Sequence, residues 1–387
     1  MRLAFNATPL LSPLTGIGQY TYHLAKGLQA DPALDMHFFY AGAWCQDVQE
    51  AGDIMQAPKN WKSTLRSAVK KSIPDATRYN LSRYWRQRSF SQGCRQKKVD
   101  LYHEPNFLAY RCDAPSVITV HDLSWIRYAQ THPKERVAEM NRYFQPSLER
   151  ASLVLTDSEF VKQDLMALFG TPSERIKSIP LGAEAMFHPR SSEETSMVLG
   201  QQGLVHGRYL LAVGTLEPRK NLGIALEAYR GLSAATRERY PLVLVGMKGW
   251  LTSTLERQMA LLVAAGQIRV LGYLPREDLA TVISGALCLI YPSIYEGFGL
   301  PPLEAMSSAV PVISSNVSSL PEVVGDSGVL IDPSDVSALA QAMTQMVEDS
   351  EFRNTLAAKS LERSRLFSWE RCVTQTSAAY RQVLAKD

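Results

Sequence analysis

Two glutamates bracket a glycine-rich segment in the last third of the sequence. Glu296 and Glu304 stand eight positions apart, with Gly-Phe-Gly-Leu-Pro-Pro-Leu between them. Gly297 and Gly299 allow backbone amides to approach a ligand closely, and the prolines suit the first turn of a helix whose start attracts anions. We predict a site for a phosphorylated sugar, with Glu296 on the loop and Glu304 in the first helical turn. The structural alternative is a helix with acidic residues near its start.

A pair of basic residues follows another predicted strand. Arg219 and Lys220 belong to the segment Gly-Thr-Leu-Glu-Pro-Arg-Lys-Asn at 214–221. Adjacent cations can neutralise a diphosphate leaving group as its negative charge develops. The alternative is a solvated pair at a helix start, where positive charge is slightly unfavourable. We predict that this pair binds a departing diphosphate.

Two glycines lie in the first strand-to-helix connection. Gly16 and Gly18 can cradle a phosphate or admit a sugar, and a plain turn is the alternative. A dinucleotide fingerprint would need a third small residue where the chain has Thr21, and an acid at the end of the second strand. That strand ends in Tyr-Ala-Gly at 40–42, which disfavours an NAD-dependent oxidoreductase.

Polar residues also follow apolar runs elsewhere in the first half of the chain. His121 comes directly after the run at 117–120 and can hydrogen-bond a sugar or act as a base, although a lone histidine is more often structural. His103, Glu104 and Asn106 are predicted to follow a strand and are candidates for the acceptor side of the site, with a structural role equally open.

Short apolar runs alternate with helical patterns along the chain, which predicts parallel sheets covered by helices. Strands are predicted at 2–6, 36–40, 117–120 and 153–156, and again at 209–213, 242–245, 268–271, 287–290 and 310–313. The polar stretch at 187–207 is predicted to be a linker. We expect a first domain at 1–188, a second domain at 189–368 and a helix within 369–387 that packs back toward the first domain.

Composition sets further limits on the function. The chain has 387 residues, of which 41 are basic and 38 acidic, and this balance argues against a nucleic-acid partner. The five scattered cysteines are typical of reduced thiols in the cytoplasm. The start lacks the apolar core of a signal peptide, and no apolar run reaches the roughly 20 residues that a bilayer span needs. We expect a cytoplasmic protein whose membrane contact is peripheral.

One segment departs from this balance. Between residues 59 and 98 the only acid is Asp75, and aromatic residues are interleaved with the basic ones. The basic residues are Lys59, Lys62, Arg66, Lys70, Lys71, Arg78, Arg83, Arg86, Arg88, Arg95, Lys97 and Lys98, and the aromatic residues among them include Trp61, Tyr79, Tyr84 and Trp85. This composition suits an anionic membrane surface, such as the inner face of the plasma membrane, or the pyrophosphate of a lipid-linked acceptor. A solvated insertion is the alternative.

Together these motifs resemble glycosyltransferase family 4, most strongly from His121 to Asp332. The resemblance implies retaining enzymes of the GT-B fold, an α/β architecture with two Rossmann-like, doubly wound domains facing across a cleft. It also implies that the domain at 1–188 lies on the acceptor side and that the domain at 189–368 binds the nucleotide sugar. The family motif Glu-x7-Glu matches Glu296, which would contact hydroxyls of the donor sugar, and Glu304, which would contact the ribose. The candidate donor-binding residues are Gly16, Gly18, Thr215, Tyr273, Gly297, Phe298, Gly299, Leu300 and Glu304.

The family grips the diphosphate with an arginine after a glycine and with a later lysine. Lys220 matches the lysine, whereas Thr215 occupies the arginine position, so Arg219 is the candidate substitute. With His121 and Glu296, this pair completes the predicted catalytic set. Retention would proceed by front-face attack, with the leaving phosphate oxygen taking the acceptor proton. Because the chain has no Asp-x-Asp motif, we expect catalysis without a metal and without a cofactor.

A narrower resemblance concerns the donor. The segments His-Asp-Leu-Ser-Trp at 121–125, His-Pro-Lys-Glu-Arg at 132–136 and 214–221 are similar to bacterial mannosyltransferases of surface polysaccharide assembly, which commonly use GDP-mannose. This implies an α-mannosyltransferase acting on a glycan or a polyprenyl-diphosphate-linked oligosaccharide. A UDP-sugar donor and a non-catalytic nucleotide-sugar-binding or scaffold protein stay open. A sugar phosphorylase shares the architecture, but no pyridoxal lysine motif stands out.

Overall fold

The first lobe is built on a seven-stranded sheet. The computed structural model describes residues 1–12, 14–49, 75–247, 249 and 253–385. The strands are β1 Arg2–Asn6, β2 Asp35–Tyr40, β3 Ala43–Cys45, β4 Leu101–Glu104, β5 Ser116–Val120, β6 Leu153–Thr156 and β7 Ile176–Ser178. Their order is β3-β2-β1-β4-β5-β6-β7, with β3 alone antiparallel to its neighbour. Every residue of β5 and β6 is buried, as expected for parallel strands covered on both faces.

The second lobe is built on a six-stranded parallel sheet. Its strands are β8 Leu210–Val213, β9 Leu242–Val245, β10 Ile268–Gly272, β11 Cys288–Tyr291, β12 Val312–Ser315 and β13 Val329–Ile331. Their order is β10-β9-β8-β11-β12-β13. In each sheet the order reverses once, between β1 and β4 and between β8 and β11. Ligands of open α/β sheets bind in the crevice at such switch points, next to the carboxyl ends of the strands.

Helices cover both faces of the two sheets. In the first lobe they are α1 Gly16–Gln29, α2 Asp75–Lys97, α3 Ser124–Arg127, α4 Lys134–Arg150 and α5 Glu159–Phe169. The later helices are α6 Ser192–Gln201, α7 Leu222–Arg230, α8 Ala234–Arg239, α9 Ser253–Ala264, α10 Arg276–Ser284, α11 Leu300–Ser307, α12 Leu320–Val324, α13 Val336–Glu348, α14 Ser350–Ser364 and α15 Trp369–Leu384. Within the described residues, none of these helices combines the length and the apolar character that crossing a bilayer requires.

The two doubly wound sheets confirm the predicted fold class, and two local predictions are wrong. The stretch predicted as a linker contains α6, which begins with a capping box in which Ser191 and Glu194 satisfy each other's backbone amides. The second sheet has six strands rather than five, because the short β13 was not predicted.

The last helix of the chain joins the lobes. Helix α15 packs on α1, where Gly27 has no room for a side chain because Val373 lies 2.4 Å from the position of a Cβ atom. The hydroxyl of Tyr380 lies 2.6 Å from Nδ1 of His103 in β4. One apolar cluster extends from Leu3 in β1 through Tyr380 to Leu211 in β8. The core therefore fixes the two switch points relative to each other.

Candidate active site

A cavity of about 360 Å³ lies between the carboxyl ends of the two sheets. Loops from both lobes line it, namely those before α1 and after β5 in the first lobe and those after β8, β9, β10 and β11 in the second. Twelve of the predicted site residues lie on its wall: Gly16, His121, Thr215, Arg219, Lys220, Tyr273, Glu296, Gly297, Phe298, Gly299, Leu300 and Glu304. The structure thus brings together motifs that are as far apart as 288 positions in sequence.

Glu296 lies between the two predicted cations. Nζ of Lys220 donates to Oε1 of Glu296 at 2.6 Å, and Nη1 of Arg219 donates to Oε2 at 2.9 Å. Nη2 of Arg219 donates to Oε1 of Glu217 at 2.7 Å. Lys220 also donates to the hydroxyl of Tyr291 at 2.8 Å. Both basic side chains are only 13% exposed. Buried charges of this kind persist because each has a hydrogen-bonded partner.

The charge state of this cluster follows from its contacts. Burial by itself would raise the pKa of Glu296, but the charges of Arg219 and Lys220 hold that pKa down at about 2. Burial lowers the pKa of Lys220, and Glu296 opposes the shift. Arg219 stays charged because Glu296 and Asp122 raise its pKa against the effect of burial. A carboxylate and two cations therefore face the cavity at neutral pH.

The loop after β8 holds the two cations by its own geometry. Pro218–Lys220 form a single 3₁₀ turn, and Asn221 follows with φ 55°, a left-handed conformation that asparagine tolerates better than most residues. The Asn221 amide donates to the carbonyls of Pro292 and Pro333 at 3.1 and 2.7 Å. The Arg219 carbonyl accepts the amide of Ile294 at 3.0 Å. The loops after β8 and β11 are thereby linked directly beneath Glu296.

The start of α11 differs from the prediction in the position of Glu304. The helix begins at Leu300 after Gly299, whose φ is 117°, so Glu304 lies in the second turn and not in the first. Pro301 and Pro302 lack an N–H. The amides that can meet an anion at this helix start are therefore those of Gly299 and Leu300.

Glu304 lies deeper and belongs to a second cluster of charges. Nη2 of Arg276 donates to Oε1 of Glu304 at 2.8 Å, and Nε of Arg276 donates to Glu184 at 2.8 Å. Burial raises the pKa of Glu304, and Arg276 counteracts part of the shift. Glu304 is 3% exposed. Arg276 was not predicted, since nothing in the sequence pairs it with carboxylates 28 and 92 positions away.

His121 lines the cavity, but its ring nitrogens are engaged within the first lobe. Nδ1 lies 2.7 Å from Oδ2 of Asp157 and Nε2 lies 2.7 Å from the carbonyl of Pro105. Burial would lower the pKa of His121, but Asp157 and the two hydrogen bonds raise it. Both partners are acceptors, so this arrangement suits an imidazolium. The Gly297 backbone packs on the carbonyl of His121, with 1.7 Å between that oxygen and the position of a Cβ atom.

The predicted acceptor-side residues do not line the cavity. His103 and Glu104 lie within β4 rather than after it, and they are 0% and 1% exposed. Nε2 of His103 lies 2.8 Å from the Thr119 hydroxyl. Glu104 accepts hydrogen bonds from Asn6, from the Tyr102 hydroxyl and from the amide of Asn106. These contacts give His103 and Glu104 a structural place in the sheet, which corrects their assignment to the acceptor.

Gly18 is also absent from the cavity wall. It lies inside α1, where Leu14 comes within 3.1 Å of the position of a Cβ atom, so the glycine serves packing. Its neighbour Gly16 lies at the helix start and on the cavity. Thr215 lies on the wall with Arg219 and Lys220, and Arg219 is the arginine that contacts Glu296.

Comparisons with known proteins agree with this geometry. A family model described as glycosyl transferases group 1 matches residues 202–363, and one described as glycosyltransferase family 4 matches residues 14–185. The O-antigen chain mannosyltransferase B of Escherichia coli is 38% identical over 383 residues, which are 98% of this chain and 100% of that relative.

Two solved structures show the fold. The sucrose-phosphate synthase from Thermosynechococcus elongatus matches with a TM-score of 0.75 at 20% identity over 100% of both chains. Anabaena HepE in complex with UDP and glucose matches with a TM-score of 0.70 at 18% identity over 99% of this chain and 100% of that one. At these identities the likeness concerns the fold alone.

Proposed function

Since this chain belongs to the family 4 glycosyltransferases, we propose that it is a retaining α-mannosyltransferase that takes mannose from GDP-mannose. The relative at 38% identity is named as an O-antigen chain mannosyltransferase, and it aligns over its full length. The observation that carries the proposal is the cluster of Lys220, Arg219 and Glu296 on a cavity between two doubly wound sheets. The product would be a glycan of the cell surface, built on a glycan or a polyprenyl-diphosphate-linked acceptor.

The first requirement of sugar transfer is stabilisation of the leaving diphosphate. As the glycosidic bond to phosphate breaks, negative charge grows on the diphosphate oxygens and positive charge grows on the sugar ring. Arg219 and Lys220 are already desolvated at the cavity, so their attraction for the diphosphate is stronger than it would be in water. The amides of Gly299 and Leu300 add neutral donors.

The second requirement is to hold the sugar ring. In the structure Glu296 neutralises the two cations. When a diphosphate takes over those cations, the Glu296 carboxylate can accept hydrogen bonds from sugar hydroxyls and face the developing positive charge of the ring. Glu304 and Arg276 line the same cavity as a hydrogen-bonded pair, and we place the ribose of the nucleotide beside them.

The proton of the attacking hydroxyl needs an acceptor in the retaining reaction. His121 is a poor candidate for that base, since both of its nitrogens are held by Asp157 and Pro105. We assign the proton to the leaving phosphate oxygen, which agrees with front-face attack. This chemistry needs neither a metal nor a cofactor, and turnover is expected to persist in EDTA.

A membrane surface is the proposed partner of α2. The aromatic side chains of Tyr84 and Trp85 are 57% and 59% exposed, and Arg88 is exposed one turn further on the same face. The other side of the helix is buried, with Phe90 and Cys94 in the core of the first lobe. Exposed aromatic rings beside arginines suit the interface of an anionic bilayer.

Several other residues of the basic segment 59–98 either have partners within the protein or lie outside the described residues. Arg83 stacks on Tyr143 at 4.2 Å, and Arg95 pairs with Asp113 at 2.8 Å, so these two arginines already have partners within the protein. The residues that lie outside the described part of the chain are Lys59, Trp61, Lys62, Arg66, Lys70 and Lys71, and nothing is described of the side chains of Arg78 and Tyr79.

The membrane contact is tested by flotation with vesicles. Wild-type protein should float with phosphatidylglycerol vesicles at low salt and less so at high salt, whereas phosphatidylcholine vesicles should not carry it. The double change Tyr84→Ser and Trp85→Ser should reduce flotation. The control Leu261→Ser removes an apolar side chain that is 82% exposed on the second lobe. Equal flotation of both variants would contradict the proposal.

The donor is tested by a thermal-shift panel of GDP-mannose, GDP-fucose, UDP-glucose and UDP-N-acetylglucosamine at equal concentrations, because a ligand that binds the folded protein raises the unfolding temperature more the further its concentration exceeds its Kd. GDP-mannose should stabilise the protein most. A larger shift with a UDP-sugar would favour the alternative donor. Binding without hydrolysis or transfer of any donor would favour a non-catalytic protein.

A further inference from the structure

Two segments of the first lobe meet on the cavity although the reaction described so far uses neither of them. The segment 121–125 supplies Asp122 and Ser124, and the segment 132–136 supplies His132. All three residues line the same cavity as Lys220 and Arg219. The segments are joined there, because Nε2 of His132 lies 2.9 Å from Oγ of Ser124.

The direction of the hydrogen bonds follows from the chemistry of the groups. Oγ of Ser124 donates to Oδ1 of Asp122 at 2.8 Å, and the Ser124 amide donates to the same oxygen at 3.0 Å. Since the serine proton is used on the carboxylate, Ser124 must accept its hydrogen bond from N–H of His132. Burial lowers the pKa of His132, so a neutral ring serves as this donor at neutral pH.

One carboxylate oxygen of Asp122 stays available to a ligand. Oδ1 of Asp122 accepts both bonds from Ser124, and among the described residues the structure gives Oδ2 no hydrogen bond. Asp122 is partly exposed on the cavity wall, whereas Ser124 is 2% exposed. The buried serine and histidine therefore fix the orientation of a carboxylate that can receive a proton donor from the cavity.

A sugar hydroxyl is the group that this carboxylate suits. A diphosphate would be repelled by Asp122, and Arg219 and Lys220 of the second lobe are the groups that attract it. An acceptor must approach the donor sugar from the side that the second lobe does not occupy, which is the first-lobe wall. We propose that Asp122, oriented by Ser124 and His132, is the acceptor subsite and binds a hydroxyl group of a neutral sugar.

This subsite replaces the acceptor side predicted at His103, Glu104 and Asn106. The sequence prediction placed the acceptor at the end of β4, and the structure places cavity-lining polar groups after the next strand, β5. The backbone carbonyl of His121 packs on Gly297, so the residue before Asp122 is in direct contact with the donor loop. A hydroxyl on Asp122 would therefore lie beside the proposed site of the donor sugar. The inference rests on the proposed function.

The test compares transfer with hydrolysis. Wild type and variants are assayed with GDP-mannose in water alone and with methyl α-mannopyranoside as acceptor. Asp122→Asn and Ser124→Ala should raise the acceptor KM about tenfold or more, as expected when a hydrogen bond to a charged group is lost. Hydrolysis of GDP-mannose and the donor KM should change little in Ser124→Ala, which keeps the Asp122 charge that acts on Arg219. The controls are Asp113→Asn, an exposed residue paired with Arg95, and Ser147→Ala, whose hydroxyl bonds within α4.

The outcomes separate this inference from the proposed function. Loss of donor hydrolysis together with transfer in both variants would assign Asp122 to the donor site and overturn the subsite. An unchanged acceptor KM in both variants would overturn it as well. If the wild type hydrolyses no donor, the proposed function fails, and saturation-transfer NMR with methyl α-mannopyranoside then tests the subsite alone. Binding that is lost in Ser124→Ala supports it, and binding that is absent in wild type or unchanged in the variant contradicts it.

Discussion

The hydroxyl of Tyr295 in the second lobe lies 2.7 Å from Oδ2 of Asp164 in the first lobe. The same hydroxyl accepts the amide of Leu123 at 3.1 Å. On the other side of Glu296, the carbonyl of Gly297 accepts a hydrogen bond from Ser158 at 2.7 Å. The two neighbours of Glu296 are therefore both attached to the first lobe, which couples the position of this carboxylate to the contact between the lobes.

Removing the Tyr295 hydroxyl should slow transfer without unfolding the protein. The carbonyl of Tyr295 accepts from Arg219 at 2.7 Å, so movement of this residue disturbs the cation as well as Glu296. Asp164 keeps its pairing with Arg127 in the variant. We expect kcat/KM for transfer to fall about tenfold in Tyr295→Phe, the scale of one lost hydrogen bond to a charged group. In the control Tyr229→Phe, which loses hydrogen bonds inside the second lobe, kcat/KM should be unchanged. Equal rates in the two variants would contradict the coupling.

Arg219 should carry the role of the arginine that is missing at Thr215. Replacing Arg219 by methionine removes a cation that contacts Glu296, and we expect kcat to fall about 100-fold, the scale of one lost electrostatic contact in a transition state. Because Thr215 lies on the same cavity wall, the second change Thr215→Arg should restore part of kcat. Steady-state kinetics of both variants check this. An Arg219→Met enzyme with wild-type kcat would show that Lys220 suffices.

His121 should keep its charge in the folded protein up to a higher pH than a free histidine does. Burial opposes the charge, but Asp157 and the carbonyl of Pro105 raise the pKa of His121 above 6.5. A raised pKa stabilises the fold below the unfolded value, and this contribution is lost as the pH rises through the folded value. Ring ¹⁵N spectra at pH 6.5 should therefore show that more than half of the His121 rings carry a proton on both nitrogens. A protonated fraction of one half or less at that pH would contradict the assignment.

Glu104 should make folding less favourable as the pH rises. Burial raises its pKa to about 7, although hydrogen bonds from Tyr102, Asn6 and the Asn106 amide partly compensate. The folded protein then binds a proton that the unfolded chain releases above its ordinary value of 4.5, so the free energy of unfolding should fall between that pH and about 7. Urea unfolding of wild type and Glu104→Gln across this range measures the effect. As the pH rises, the free energy of unfolding of Glu104→Gln should increase steadily relative to that of wild type. If the two free energies change in parallel with pH, the raised pKa of Glu104 is contradicted.

The strands were predictable because their physical signal is local. Leu153–Thr156 and Leu242–Val245 are apolar on both faces, and the structure has strands with those bounds. The helix α6 was missed because Ser191 and Glu194 look like linker residues until they are recognised as a capping box. The sequence also placed His103 after a strand that in fact includes it, since its ring is buried against Tyr380, 277 positions away.

The parts of the candidate site that could be predicted are those whose residues lie together in one short segment of the sequence. The loop at 296–300 and the pair at 219–220 each carry their own spacing, and the structure places both on the cavity. Arg276 and Asp157 were not, because their roles depend on Glu304 and His121, which reach them only through the fold. Asp122 and His132 each lie in a segment that stands out in the sequence. The hydrogen bond between His132 and Ser124 could not be predicted, because it forms only when the turn through α3 brings the two segments together.

The central claim is that Lys220 and Arg219 bind the diphosphate of a sugar nucleotide. Isothermal titration of GDP-mannose into wild type, Lys220→Met and the control Lys359→Met, an exposed lysine on α14, tests it most directly. We predict at least tenfold weaker binding and loss of transfer in Lys220→Met, with wild-type behaviour in the control, as expected when a desolvated charge contact is removed. If Lys220→Met binds GDP-mannose with the same affinity as wild type, the account is contradicted.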